Sequence, residues 1–233
     1  MVDHQRWIEA DGSQCDPVAS RKVVGDDQVK HVAEQIGDIL TVEELLAFEA
    51  DIAAEFEAGH IAAPVHLAGG NEQPLIEIFK GIADEDWVAG GWRMHYACLL
   101  KGVPPAELKA AIMAGKSIAL CFPSHRVISS AIVGGICPIA MGIAWALKRQ
   151  GKLGKVWCFV GDMTACTGIF AETARYAMFH ALPITFVVED NGKSVCTPTR
   201  EVWGTTPSTE LVMTGYGYEL TRAHVGIDKW VAF

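Results

Sequence analysis

Asp162 and Asn191 are the two residues whose types and spacing point most directly to chemistry. Each follows a short β-rich apolar run, KVWCFV at 155–160 and ITFVVE at 184–189, and helix-like sequence lies between the runs. That is a strand, crossover helix, strand unit. Such connections are parallel and right-handed, so both residues are expected just past the carboxyl ends of neighbouring strands, where open α/β sheets bind ligands. A carboxylate and an amide oxygen then converge on one point. Both are hard oxygen ligands, suited to Mg²⁺ held beside phosphate oxygens and water. Taken alone, the pair has a plainer reading as a strand-end turn with an Asp helix cap.

Gly161-Asp162-Met163, with Asp190-Asn191 placing an asparagine 29 positions after Asp162, resembles the thiamine diphosphate motif, in which Gly-Asp-Gly is followed at this separation by Asn-Asn. Leu182-Pro183 before the second strand is a further match. The resemblance implies an α/β fold, the three-layer parallel-sheet domain that binds the cofactor's diphosphate. It also implies that Asp162, the Asn191 side-chain oxygen and the Lys193 carbonyl hold Mg²⁺ against that diphosphate, with Gly161, Met163 and Thr164 alongside. Met163 stands where the family has Gly, so its side chain is expected to point away and its φ to suit a non-glycine residue. Asp190-Asn191-Gly192 is the form seen in transketolases.

The upstream elements that would position these groups carry a second resemblance. Thr41 and Glu44 form a T-x-x-E capping box, and Leu45, Phe48, Ile52 and Phe56 keep one helical face apolar until Gly59. His66-Leu67, Asp86, Trp92-Arg93, His95 and Leu100-Lys101-Gly102 are similar to the α subunit of the first component of 2-oxo acid dehydrogenases, with Trp92 where that family usually has Tyr. There the aromatic-Arg pair and the first His line the diphosphate and the reaction cavity. This implies cofactor-binding roles for Trp92, Arg93 and His95, and a catalytic one for His66. Arg93 suits the role, because a planar guanidinium donates two hydrogen bonds to a phosphate. His66 and His95 have a structural reading too, as satisfied core histidines, and Arg93 one as a solvated helix charge.

Phe122-Pro123-Ser124-His125 is closer to the transketolase pattern, whereas Ala131-Ile132-Val133-Gly134 is closer to the dehydrogenase one. By resemblance His125 precedes a turn facing the thiazolium, which makes it the leading candidate for proton transfer, and Val133 and Gly134 offer backbone contact to the cofactor. The plainer reading of His125 is a loop histidine bonded to backbone. Near the end, Leu220-Thr221-Arg222-Ala223-His224 is weakly similar to a family strand end and adds His224 to the catalytic candidates.

Composition bounds the rest. A chain of 233 residues, 50% hydrophobic and 20% charged, accommodates one compact domain over 41–233 after an N-terminal arm over 1–40. The formal charge of −9, with no Lys/Arg-rich run, argues against nucleic-acid binding. Seven cysteines without a C-x-x-C pair suit a reducing compartment, and a polar start points to a cytoplasmic location. Ala131–Leu147 is uncharged but short and glycine-containing, so a buried helix with small residues at four-residue spacing is expected rather than a membrane span.

The resemblance implies that the glutamate activating the cofactor's pyrimidine resides on a separate domain, for which this length leaves no room. The implied arrangement is an α-like subunit completed by a β-type subunit, most simply as α₂β₂, decarboxylating a 2-oxo acid and passing the acyl group to an acceptor. The alternatives are a split transketolase moving a two-carbon ketol unit from a ketose, and a cofactor-binding partner without catalysis. A dinucleotide-binding fold is disfavoured, since no G-x-G-x-x-G follows a strand.

Overall fold

The computed structural model describes residues 40–204 and 214–222, so the expected arm lies outside the described residues apart from Leu40. In chain order the strands are β1 (Trp87–Gly90), β2 (Cys121–Phe122), β3 (Val127–Ser129), β4 (Val156–Gly161), β5 (Ile184–Asp190), β6 (Lys193–Ser194), β7 (Thr197–Pro198) and β8 (Thr214–Gly217). Six of them form one sheet in the order β2-β3-β1-β4-β5-β8. Only β2 runs antiparallel to its neighbour, and β6 with β7 makes a separate hairpin.

The two apolar runs are the adjacent strands β4 and β5, in register from Val156 opposite Ile184 to Gly161 opposite Glu189. Both faces are buried, as a near-continuous apolar run in a parallel sheet requires. Val88, Phe159 and Val187 enter one core, while Ala89, Cys158, Val160, Phe186 and Val188 enter another. Helices α1 (Val42–Glu57), α2 (Glu72–Phe79), α3 (His95–Leu100) and α4 (Pro105–Ala111) pack into the first. Helices α5 (Ile136–Gln150) and α7 (Gly168–Phe179) pack into the second. The expected three-layer parallel sheet is therefore present.

Local signals account for the helix ends. At α1 the capping box forms in both directions, with Thr41 N–H on Glu44 Oε2 at 2.7 Å and Glu44 N–H on Thr41 Oγ1 at 3.2 Å. Leu45, Ile52 and Phe56 of its apolar face are buried, and Gly59 leaves the helix at φ 76°. Helix α5 buries Ala140 and Ala144 completely, and these small side chains let it lie close to the sheet and to Ala174 and Ala177 of α7. Among the described residues no helix is long and apolar enough to cross a membrane.

Asp86 sits at the amino-terminal end of the sheet. Its carboxylate accepts from Lys155 N–H at 2.8 Å, Trp157 Nε1 at 2.9 Å and Ala83 N–H at 3.1 Å, joining the starts of β1 and β4. The carboxyl ends of the strands, on the opposite side, are left to carry the site.

Candidate active site

Four strands deliver residues to one cleft. β1 leads into Gly91, Trp92 and Arg93; β3 leads into Ser130 and the turn at 132–134; β4 leads into Gly161 and the one-turn helix α6 (Asp162–Ala165); β5 supplies Glu189 and then Asn191 and Lys193. From β1 the chain passes first to β3 on one side and then to β4 on the other. The cleft thus lies at the topological switch point, where the diverging connections leave a crevice.

Asp162 is 1% exposed, and its Oδ2 accepts a hydrogen bond from Thr199 Oγ1. Burial raises the pKa of its carboxyl; the Thr199 hydroxyl opposes this, and the charge of Asp190 adds to the rise. A cation beside Asp162 would offset both the burial and the Asp190 charge. Asn191 Oδ1 accepts from Lys193 N–H at 3.2 Å, and its Nδ2 donates to Tyr218 OH at 3.4 Å. Asp190 Oδ1 accepts from Gly192 N–H at 2.9 Å, and Gly192 has φ 72°, so Asp190 shapes the turn that carries β5 into the hairpin.

Met163 has no positive φ, as expected. It borders the cleft, and its sulfur accepts from Trp203 Nε1 at 3.1 Å, so its side-chain end is engaged by α8 (Thr199–Trp203). Gly134, at φ 73°, has no room for a side chain: a Cβ there would lie 2.6 Å from Ile169 Cγ2.

Arg93 donates from Nε to the Leu67 carbonyl at 3.2 Å. Its pKa is lowered by burial, which Tyr218, Glu189 and Glu49 partly offset. Across the cleft, Glu189 accepts from Tyr216 OH and from Asn71 Nδ2 at 3.3 Å. Burial raises its pKa, while those two hydrogen bonds and the Arg93 charge oppose the rise.

The cleft therefore gathers Trp92, Arg93, Val133, Gly134, Gly161, Asp162, Met163, Thr164, Asn191 and Lys193, all expected from the sequence. The histidines behave differently. His95 is fully buried, with Nδ1 3.2 Å from Glu49 Oε1 and Nε2 2.9 Å from Ser117 Oγ, so the structural reading replaces the cofactor-binding one. His125 ends the 3₁₀ turn Pro123–His125 between β2 and β3. Because β3 is parallel to β1, with Val127 opposite Val88, His125 lies at the amino-terminal end of the sheet, away from the cleft, and its expected catalytic position is corrected. The neighbouring Arg126 bonds the Asp84 carbonyl at 2.9 Å at that same end. His66 is buried behind the cleft lining, its ring 5.8 Å from that of Trp92. His224 lies outside the described residues.

Sequence reasoning missed Ser130, Glu189 and Tyr218 as lining residues. The available signals were a lone carboxylate closing an apolar strand and the period-two tyrosines in GYGYEL.

An Mg²⁺-bound diphosphate fits this donor set. One buried carboxylate, one amide oxygen and a nearby backbone carbonyl are hard ligands that leave positions for phosphate and water. Among the described residues no group of three or more His, Cys, Asp or Glu could hold a metal, so a soft-ligand centre is not formed there.

The family model for the dehydrogenase E1 component matches residues 41–231, and the chain belongs to that family. Among curated relatives, the alpha subunit of acetoin:2,6-dichlorophenolindophenol oxidoreductase from Cupriavidus necator is 31% identical over 155 residues, covering 62% of this chain and 46% of the relative. The pyruvate dehydrogenase E1 component subunit alpha of Porphyra purpurea is 30% identical over 161 residues, covering 62% and 47%. The acetoin oxidoreductase alpha subunit of Bacillus subtilis is 29% identical over 166 residues, covering 66% and 50%. The chain spans about half the length of the curated relatives it matches.

Proposed function

We propose that this chain is the α-like subunit of a two-subunit, thiamine diphosphate-dependent enzyme that decarboxylates a 2-oxo acid and transfers the acyl group to an acceptor. The observation that carries the reading is the convergence of Asp162, Asn191 and Arg93 on one cleft at the switch point of a parallel sheet. Membership of the dehydrogenase E1 component family supports it. The diphosphate-binding unit is the stretch 41–233.

In this reading Asp162, the Asn191 side-chain oxygen and the Lys193 carbonyl hold Mg²⁺, and the Arg93 guanidinium donates to phosphate oxygens. Val133 and Gly134 offer backbone contact to the cofactor, with Trp92 as an apolar wall. When bound, the cofactor supplies a nucleophilic carbon and an electron sink for carbon–carbon cleavage. This chain's share of the work is to clamp, orient and desolvate. No histidine among the described residues lines the cleft. The candidates for proton transfer to the reacting atoms are His66, packed against Trp92 behind the lining, His224 and the partner subunit.

A β-type subunit carrying the pyrimidine pocket and its glutamate is the inferred partner, in an α₂β₂ assembly. Ile132, Val133 and Ile169 support this: they are 73%, 47% and 44% exposed around the cleft mouth, an apolar rim suited to being covered. The split-transketolase alternative loses the support it drew from Pro123-Ser124-His125, which lies at the other end of the sheet.

Co-expression with the product of the neighbouring reading frame tests the reading. Turnover of a 2-oxo acid with an artificial electron acceptor is expected only for the pair. Equal turnover by this chain alone would contradict it.

A further inference from the structure

Behind the cleft, three buried side chains form a line that the cofactor chemistry does not use. Ser117 Oγ lies 2.9 Å from His95 Nε2, and His95 Nδ1 lies 3.2 Å from Glu49 Oε1. All three residues are at most 1% exposed. The order of hydroxyl, imidazole and carboxylate imitates a nucleophile with its base and orienting acid, but groups sealed from solvent have no substrate to meet. The line ends on backbone instead. Glu49 Oε1 accepts from Ala68 N–H at 2.9 Å, and the preceding carbonyl, that of Leu67, receives Arg93 Nε at 3.2 Å.

The turn over 67–71 depends on such support. Gly69 and Gly70 adopt φ 124° and 92°, conformations outside any regular element. Glu49 holds the turn at Ala68, both Glu72 carboxylate oxygens hold it at Gly70 N–H, each at 3.1 Å, and Thr221 N–H donates to the Gly69 carbonyl at 3.2 Å. The Tyr96 hydroxyl in turn donates to Glu72 Oε1 at 3.1 Å. Asn71, at the end of the turn, donates to Glu189 in the cleft at 3.3 Å. Arg93 has its Nε committed to this turn, and the residue itself lines the cleft. The direction of the guanidinium is therefore set by where the Leu67 carbonyl stands.

We propose that Glu49 is a positioning residue for Arg93: braced by His95 and Ser117, it fixes the turn over 67–71 so that the Leu67 carbonyl aims the guanidinium into the cleft. The purpose rests on the cleft being a diphosphate site, whereas the geometry can be measured without a ligand. A preorganised donor costs less to order at binding than one that must be found, so loss of Glu49 acts at the cleft without touching it.

The test is arginine labelling by phenylglyoxal on the full chain, quantified by peptide mass mapping as the Arg93 to Arg126 ratio. Glu49→Met keeps volume and removes the acceptor, and it is expected to raise the ratio about fivefold. Glu49→Gln keeps an acceptor for Ala68 N–H and should stay within about twofold of wild type. General loosening would raise both arginines together and leave the ratio flat, and a flat ratio in a cooperatively melting Glu49→Met protein overturns the proposal. Should Glu49→Met fail to fold, Ser117→Ala removes only the outer brace on His95. An increase of about twofold is then expected, and no increase overturns the proposal. Protection of wild-type Arg93 by thiamine diphosphate with Mg²⁺ is read in the same assay. Its absence would count against the diphosphate reading alone, so the two failures are distinguishable.

Discussion

Thr199 Oγ1 donates its hydrogen bond to Oδ2 of Asp162 across 37 positions of sequence, tying the segment after the β6–β7 hairpin to the buried carboxylate at the head of the cleft. One oxygen of Asp162 is thereby fixed by the chain itself. Burial nevertheless disfavours the charge, and that imbalance has measurable consequences.

The folded pKa of Asp162 lies above its ordinary value of 3.8, so the folded chain binds the proton more tightly than the unfolded one. The stability this contributes is fully present below 3.8 and is lost as pH rises through the raised folded value. Asp162→Asn imitates the neutral form. Without metal it should melt at higher temperature than wild type at pH 7, by about 1 kcal/mol or a few degrees, and the gap should close as the pH falls to that ordinary value. Thermal unfolding at both pH values decides this, and equal stability at pH 7 would contradict it.

Arg93→Lys keeps the charge and loses the planar fork. Affinity for thiamine diphosphate with Mg²⁺ should fall about tenfold, while the melting temperature changes little. Equilibrium titration of the variant in the assembled protein measures the loss.

Met163→Gly restores the family residue in the motif but removes the sulfur that Trp203 engages. The cofactor affinity should stay within about threefold, because the backbone N–H groups persist, and α6 should weaken by about 1 kcal/mol. Trp203 fluorescence is the direct readout, and the account expects it to shift. A large gain in affinity would mean that Met163 obstructs the phosphates.

His125→Ala alters a turn at the amino-terminal end of the sheet. Cofactor binding and turnover of the assembled enzyme should remain within about twofold of wild type, as for a surface position remote from the site. A large loss of turnover without loss of folding would return His125 to the catalytic set.

The strands, the crossover and the place of Asp162 and Asn191 in the cleft lining were legible because they rest on local rules. β4 and β5 announce themselves as apolar runs, and parallel connection brings Asp162 and Asn191 to one end without further information. The places of His125 and His95 were not legible, because a family motif gives residue type and order but not strand direction. His125 precedes β3 in sequence, and only the pairing of Val127 with Val88 reveals that it lies at the far end of the sheet. His95 follows Arg93 by two positions, which on entering α3 turns it into the core toward Glu49. Glu189 was passed over because it is written into the apolar run of β5, where its partners Asn71 and Tyr216 come from segments 118 and 27 positions away.

The central claim is that this chain holds half of a thiamine diphosphate site. Calorimetric titration of thiamine diphosphate with Mg²⁺ into the full chain tests it most directly, first alone and then with the product of the neighbouring reading frame. The account predicts Mg²⁺-dependent binding that appears or tightens strongly with the partner and is lost in Asp162→Ala. No binding in either case would contradict it and would leave the fold serving another role.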